Sequence, residues 1–390
     1  MVFSQLWSRG CYYSESHMLA TSKGCKTGMR PDEIVLADIL PRDKNAFDLV
    51  RLFAAVAVIF GHSFYIFPTG GYSEPVTQLI QKNYSGTLAV GVFFFLSGIL
   101  VTGSFALNPS SARFFLMRAF RIYPGAIICL AIISFVIGPV VTTMPMMDYF
   151  ASRQVYCYFA DHVSLLSILP IQCWDLPGVF AENLIPSAPN GSLWTLTPEI
   201  ICYLYVLAFG VLGLVKTSFR ILVVLVAILV IHYIAPHAVP YFSDVEYSDI
   251  LKVGLFFMAG VFAYSVRNIL PIKTLYALPL IVAANFLQGT FVQEYALYLA
   301  LFYSVLVISA YQPVRWIKLP GDYSYGVYIY GWPIQQTVAH FFPNLTSYPS
   351  NLITIPVALL AGYLSWTFVE KPALSFARSF SFRRRARTAA

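Results

Sequence analysis

The chain has 390 residues, of which 58% are hydrophobic and 11% are charged, and its mean hydropathy is +0.68. Soluble domains carry roughly a quarter charged residues, so this composition excludes an ordinary soluble protein and indicates a polytopic membrane protein. The net charge of +7 does not indicate nucleic-acid binding, because 6 of the 25 Lys and Arg residues lie in the last 20 residues, beside an apolar run. Such basic clusters bind anionic membrane lipid and fix topology.

The polar stretch before the first apolar run has neither the apolar core nor the small-residue cleavage site of a signal peptide. We expect a largely disordered cytoplasmic tail over residues 1–45. One transmembrane domain is predicted over residues 46–371, followed by a basic cytoplasmic tail over residues 372–390.

Ten apolar runs are long enough to span a bilayer as helices of about 20 residues. The predicted spans are 47–67, 86–107, 118–140, 191–214, 219–236, 249–266, 272–288, 292–311, 322–342 and 351–370. With an inner N-terminus, 21 Lys and Arg residues fall on inner segments and 2 on outer loops. A wrong count of helices would destroy this bias, so the predicted fold is all-α, with about ten transmembrane helices and both termini cytoplasmic.

The first apolar run, FDLVRLFAAVAVIFGHSFYIF, contains Arg51 and His62. The helical rise between them is about 16 Å, so Arg51 is expected near the inner membrane face and His62 in the outer half. Ionisable side chains at membrane depth are costly and face protein, water or a ligand. A neutral imidazole there can take a proton from an alcohol, which makes His62 a candidate general base. A packing histidine is the alternative.

The inner entrance of the third predicted span, RFFLMRAFRIYP, carries Arg113, Arg118 and Arg121. Arg118 and Arg121 are three residues apart and share a helix face. Guanidinium groups bind phosphate oxygens bidentately, so Arg51, Arg118 and Arg121 are predicted to converge on a polyphosphate. A basic cytoplasmic anchor explains the same cluster without a ligand.

Residues 141–190 form a long outer connection, rich in aromatic, Pro and polar residues. It either covers a site as a lid or is an ordered but inert loop. Cys157 and Cys173 lie within it and can form a disulfide if it faces an oxidising compartment. The chain has no CxxC pair and no metal-ligand spacing, so no metal is expected.

Glu199 lies in the fourth predicted span, in NGSLWTLTPEIICY. By the charge rule this helix runs from outside to inside, which places Glu199 roughly 12 Å below its outer start and His62 at a similar depth. A carboxylate there is predicted to orient the His62 tautomer or to bind a sugar hydroxyl. A structural hydrogen bond to a neighbouring helix is the alternative.

Three further motifs have ordinary structural explanations. GVFFFLSG, residues 91–98, brings small residues into the second span, as expected for close helix packing. SYGVYIYGWP, residues 324–333, is aromatic and either lines a sugar cleft or belongs to the membrane interface. Glu370, Lys371 and Pro372 end the tenth predicted helix at the inner face.

Together these motifs resemble acyltransferase family 3, the integral-membrane O-acyltransferases that modify Nod factors, exopolysaccharides and lipopolysaccharide O-antigens. The resemblance spans about residues 45–375, and the matching pieces, in family order, are Arg51-x10-His62, GVFFFLSG, RAFRIYP, SLWTLTPEIICY, SYGVYIYGWPI and FVEKP. It implies a cytoplasmic acyl-CoA donor, usually acetyl-CoA, and an essential His62. It also implies that Arg51, Arg118 and Arg121 belong to the CoA and active-site machinery. Many members carry His where this chain has Gly331, so this chain is expected to act without a histidine there.

The predicted function is acyl transfer, with acetyl from acetyl-CoA as the expected group, to a hydroxyl of a surface or secreted glycan or lipid-linked glycan. The predicted location is the bacterial inner membrane, with His62 as general base and Glu199 as its partner. Direct transfer and an acyl-His relay are both open. A glycan or lipid transporter is the main alternative, although no paired half-chain repeats support it. A non-catalytic subunit of a polysaccharide machine would give no reason for Arg51 and His62.

Overall fold

The computed structural model describes residues 34–80, 83–164, 173–213, 217–234, 247–287 and 292–388. These residues form helices joined by connections and include no β-strand. The first eight helices are α1 (Leu36–Ile39), α2 (Phe47–Ile66), α3 (Pro75–Leu79), α4 (Ser85–Leu107), α5 (Ser111–Ile132), α6 (Gly138–Val141), α7 (Met146–Ala151) and α8 (Arg153–Val163). They are followed by α9 (Leu196–Val211), α10 (Ser218–Ile234), α11 (Tyr247–Ser265), α12 (Thr274–Phe286), α13 (Gln293–Ala310), α14 (Gln312–Trp316), α15 (Ser324–Phe341), α16 (Ser347–Ser365) and α17 (Lys371–Thr388).

Six helical stretches within the described ranges are long and apolar enough to cross a membrane. They are Phe47–Ile66, Ser85–Leu107, Ser111–Val141, Leu193–Val211, Gln293–Ala310 and Ser347–Phe380. Helices α10 and α12 are apolar but shorter. These features define a multi-pass helical membrane protein. Helices α11 and α15 coincide with the other two predicted spans, so each of the ten predicted spans coincides with a helix. The number of membrane crossings and the side on which the termini lie stay predictions.

Helices α4 and α11 meet with direct backbone contact at a pair of glycines. A Cβ on Gly98 would collide with the Phe257 carbonyl oxygen, and one on Gly260 would collide with the Phe95 carbonyl oxygen. Small residues allow helices in a membrane to approach this closely. The close packing predicted for GVFFFLSG, which ends at Gly98, is therefore confirmed.

The segment before α2 is packed against the helices rather than disordered. Leu36 is fully buried, and its backbone N–H donates to the Leu270 carbonyl oxygen at 2.9 Å. The predicted tail boundary is therefore wrong for residues 34–45, because the apolar side chains of α1 find a place in the helical core. Residues 1–33 of the predicted tail lie outside the described residues.

The long connection predicted over residues 141–190 is ordered in its described parts. It contains α7 and α8, and the Phe180 side chain is fully buried. Cys157 and Cys173 form the disulfide that the sequence allowed. These contacts make the connection an integral part of the fold.

The last part of this connection lies on α15. The Trp332 indole donates to the Ala188 carbonyl oxygen at 2.9 Å, and the Gln336 amide donates to the Ile185 carbonyl oxygen at 2.9 Å. The Asn183 amide in turn donates to Gln336 Oε1 at 2.8 Å. The connection therefore holds the Trp332 side of α15 in a fixed position.

Candidate active site

A cavity of about 90 Å³ lies between α2, α4, α5, α9 and α15. Four of the five residues predicted to form the site line it, namely Arg51, Arg118, Arg121 and Glu199. Aromatic side chains make up much of the remaining wall, including Phe93, Tyr203, Tyr325 and Tyr328. The structure thus brings the three arginines and the carboxylate to one place, and their roles stay predictions.

Helix geometry explains how these side chains reach the cavity. Arg51 lies at the start of α2, and Arg118 and Arg121 lie three residues apart on one face of α5. Glu199 lies in the first turn of α9. Because the three helices border one cavity, residues far apart in the chain become neighbours.

Two of the three arginines are neutralised by carboxylates that are absent from the predicted site. Asp322, in the turn before α15, accepts hydrogen bonds from Arg51 Nη1 and Arg121 Nη2, at 2.5 Å each. Arg121 Nη1 also donates to Glu370 Oε2 at 2.8 Å, and Glu370 is fully buried. Two positive and two negative groups therefore form one compact ion network.

Each carboxylate of this network also accepts a hydrogen bond from a serine. Ser324 Oγ donates to Asp322 Oδ1 at 2.6 Å, and Ser365 Oγ donates to Glu370 Oε1 at 2.9 Å. Buried charges need such partners, because an unpaired charge away from water is costly. The predicted helix stop at Glu370, Lys371 and Pro372 is wrong, because the helix continues through a π-helical turn at Trp366–Glu370 directly into α17. Glu370 serves the ion network instead. The sequence could have indicated both acids. Asp322 and Glu370 each lie at an end of a predicted span, where a carboxylate beside apolar helices needs a cationic partner.

Arg118 is the cavity arginine that forms no ion pair within the described part of the chain. Its guanidinium lies 5.7 Å from the centroid of the Tyr203 ring. Its Nε is buried and has no hydrogen-bond partner among the described residues. A guanidinium without a carboxylate, placed over an aromatic face, keeps its charge available for an anionic ligand.

Glu199 is held by residues other than His62. The Tyr203 hydroxyl, one turn further along α9, donates a short hydrogen bond to Glu199, and Ser97 Oγ lies 3.5 Å from the same carboxylate oxygen. Within the described residues, no hydrogen bond joins Glu199 to His62. The predicted role of Glu199 in orienting the His62 tautomer therefore has no supporting contact among the described residues. The other predicted role, binding a hydroxyl group, fits its position on the cavity wall.

His62 does not line the cavity and lies instead among aromatic side chains. Its ring centroid is 4.9 Å from that of Trp332 and 6.2 Å from that of Tyr84. Its Nδ1 is buried without a hydrogen-bond partner in the described ranges. Buried polar atoms are normally paired, so this unpaired nitrogen is an exception that calls for an explanation. Arg51 and His62 share α2, where their separation corresponds to a rise of about 16 Å.

Helix α15 connects the cavity to the surroundings of His62. Tyr325 and Tyr328 line the cavity, and the Tyr328 hydroxyl lies 2.8 Å from Thr195 Oγ1. Trp332, one turn beyond Tyr328, contacts His62. The cavity and the surroundings of His62 therefore border the same helix.

Gly331 packs against α2. A Cβ at Gly331 would lie 2.8 Å from Ile59 Cγ1. The adjacent turn is tied to the same place, since the Gln335 amide donates to the Ile59 carbonyl oxygen at 2.8 Å. A histidine at position 331 would require Ile59 to move, so this position serves helix packing here.

The described residues contain one group with the donor types of a metal site, formed by Cys157, Asp161 and Cys173. Its two sulfurs are joined in the disulfide and are not available as thiolate ligands. The expectation that the protein needs no metal stays a prediction.

Comparison with known proteins identifies the family of this chain. The model of the "Acyltransferase domain" family matches residues 44–370, which is most of the chain. The chain therefore belongs to acyltransferase family 3, and the predicted family is confirmed.

Two relatives illustrate the range of this family. The chain is 30% identical to an "O-acetyl transferase" of Shigella phage Sf6 over 336 residues, which are 84% of this chain and 95% of the relative. It is also 30% identical to "Nodulation protein 10" of Rhizobium leguminosarum bv. viciae over 165 residues, which are 41% of this chain and 42% of that protein. No solved structure matches the chain significantly.

Proposed function

We propose that this protein transfers an acetyl group from acetyl-CoA to a hydroxyl of a surface or secreted glycan, or of its lipid-linked precursor, in the bacterial inner membrane. The observation that carries the proposal is the cavity, which collects Arg51, Arg118, Arg121 and Glu199 in a chain of the acyltransferase family. The relative named "O-acetyl transferase" supports acetyl as the group transferred.

Arg118 is assigned to the CoA phosphates as their first contact. Arg51 and Arg121 are already paired with Asp322 and Glu370, so their charges are largely balanced within the protein. Arg118 has no such partner among the described residues and keeps its positive charge for the donor. In this proposal the ion network holds the cavity wall and keeps Arg121 in place, one helical turn from Arg118.

His62 is assigned as the general base. One of its ring nitrogens takes the proton from the sugar hydroxyl, and the resulting alkoxide oxygen forms a bond to the carbonyl carbon of the thioester. The carbon–sulfur bond then breaks, and the CoA thiolate leaves and receives the proton from the imidazolium. In the alternative relay, the imidazole nitrogen attacks the thioester carbon and the carbon–sulfur bond breaks, so that CoA leaves as the thiolate. The sugar oxygen then takes the acetyl group from the imidazole, and the hydroxyl proton passes to the thiolate.

Glu199 is assigned to ligand binding rather than to His62. Its carboxylate faces the same cavity as Arg118 and accepts hydrogen bonds from hydroxyl groups of the protein. Such an oxygen can equally accept a hydrogen bond from a hydroxyl or amide group of the donor or acceptor.

The test is the release of free CoA thiol by the purified protein in liposomes, with and without bacterial surface oligosaccharides. His62→Ala should abolish glycan-dependent release, because the imidazole is the proposed base. His340→Ala is the matched control, since His340 packs on Phe180 and Phe341, away from the site. Full activity of folded His62→Ala would refute the assignment. Failure of the wild-type protein to bind acetyl-CoA would instead favour a transporter.

A further inference from the structure

A row of aromatic rings leads from the surface to His62. Tyr65 is 48% exposed, and its ring centroid lies 5.2 Å from that of Tyr84. The Tyr84 ring is next to His62, at 6.2 Å, and Trp332 flanks His62 on another side, at 4.9 Å. We call Tyr65, Tyr84 and Trp332 the aromatic path.

The fold holds Tyr84 and Trp332 of the aromatic path in place. His62 and Tyr65 are three residues apart in α2 and therefore share a helix face. Tyr84 lies over Gly86, where a Cβ would collide with its ring. The Trp332 indole lies against Gly191, where a Cβ would come within 2.8 Å of Cε2. Rings fixed by packing can bind a ligand at little entropic cost.

We infer that the aromatic path is the binding site of the acceptor, a pyranose sugar that packs in the corner formed by the Tyr65 and Tyr84 rings, which meet at 68°, and presents a hydroxyl to His62. This inference rests on the proposed function. The C–H bonds on one face of a pyranose are slightly positive and complement the negative face of an aromatic ring. The imidazole beside these rings has a buried Nδ1 that is unpaired among the described residues, and the inference assigns the sugar hydroxyl to it as its partner.

Tyr84 also offers the acceptor a polar group. Burial, followed by the nearby acidic groups Tyr65, Asp249 and Glu74, raises the pKa of Tyr84 to about 12. Its hydroxyl is therefore protonated at neutral pH and can donate a hydrogen bond to a sugar oxygen. A stacking ring with such a donor suits a carbohydrate better than an acyl chain.

Tyrosines at a helix end also occur as membrane-interface anchors, which bind no sugar. The molecule contains a matched control for this explanation. Tyr72 is 63% exposed and packs edge-on against Tyr348, at 5.6 Å between ring centroids. It is a surface tyrosine in an aromatic cluster, yet no ring contact joins it to His62 in the described ranges.

The experiment measures the binding of short oligosaccharides cleaved from bacterial O-antigen and exopolysaccharide, by calorimetry in nanodiscs and without donor. Tyr65→Leu should weaken binding by about 2- to 12-fold, the range expected for one lost aromatic contact. Tyr65→Phe should bind like the wild type, because it keeps the ring. Tyr72→Leu should also leave binding unchanged.

Turnover gives a second readout of the same variants. Tyr65→Leu should raise the KM for the oligosaccharide and leave the KM for acetyl-CoA unchanged, which a general loss of folding would not do. Equal effects of Tyr65→Leu and Tyr72→Leu would overturn the inference, as would the absence of oligosaccharide binding to the wild type. Binding that depends on Tyr65 without any acetyl transfer would support the aromatic path and refute the proposed function.

Discussion

Replacing Asp322 by Asn tests whether the buried ion network holds the cavity together. The substitution preserves the shape of the side chain and removes the one negative charge shared by Arg51 and Arg121. Arg51 is then left without a charged partner among the described residues, and Arg121 keeps only Glu370. The network changes from neutral to a net charge of +1 in a site that is nearly closed to water.

The size of the effect follows from the burial of the network. The side chains of Arg51, Arg121 and Asp322 are 18%, 12% and 12% exposed. Removing one partner of a buried ion pair costs about 3–5 kcal/mol, because the other charge is left uncompensated. The unfolding entropy is about 2.1 cal/mol/K per residue, or about 0.8 kcal/mol/K for 390 residues. The melting temperature of Asp322→Asn should therefore fall by about 4–6 °C.

Thermal unfolding in one detergent, followed by intrinsic tryptophan fluorescence or by a thiol-reactive dye, measures this shift. Asp48→Asn is the control, since Asp48 pairs with Arg42 on the surface and such pairs contribute about 0–1 kcal/mol. Combining Arg51→Gln with Asp322→Asn leaves Arg121 paired with Glu370 and the network neutral. The double variant should therefore be more stable than the sum of the single variants predicts, by about 0.5–3 kcal/mol. An unchanged melting temperature for Asp322→Asn, or strict additivity, would refute the reasoning.

Arg118→Gln should raise the KM for acetyl-CoA with a smaller change in kcat. Arg113→Gln should change neither constant, because the Arg113 side chain donates to Asn108 instead. Steady-state kinetics with varied donor concentration measures both constants, and equal behaviour of the two variants would contradict the assignment. Cys157→Ser should lower the stability by about 3 kcal/mol, the expected value for a loop of this length, and thermal unfolding should show the same loss for wild type under reducing conditions. Gly331→His should lower the free energy of unfolding by about 1–3 kcal/mol through overpacking against Ile59. Adding Ile59→Ala to this variant should restore part of the loss in thermal unfolding. A Gly331→His variant as stable as the wild type would show that Ile59 leaves room for the larger side chain.

The features that depend on local pattern could be predicted from the residues alone. Apolar runs of a bilayer's length defined a helical membrane protein, because backbone groups in lipid must be paired within helices. Helical periodicity put Arg118 and Arg121 on one face and Arg51 and His62 on one helix. The family followed from several short motifs in a fixed order, and the match over residues 44–370 confirms it.

Which charges form ion pairs depends on how the helices pack. Arg51 and Asp322 are 271 residues apart in the chain, and Arg121 and Glu370 are 249 apart. No periodicity reports a pair at that separation, because it depends on which helices pack together. Packing also placed His62 against Trp332 and away from a hydrogen bond to Glu199, although both residues were expected at one depth. Depth follows from position along a helix, but contact requires the rotation of each helix about its own axis, and that is fixed by the neighbours it packs against.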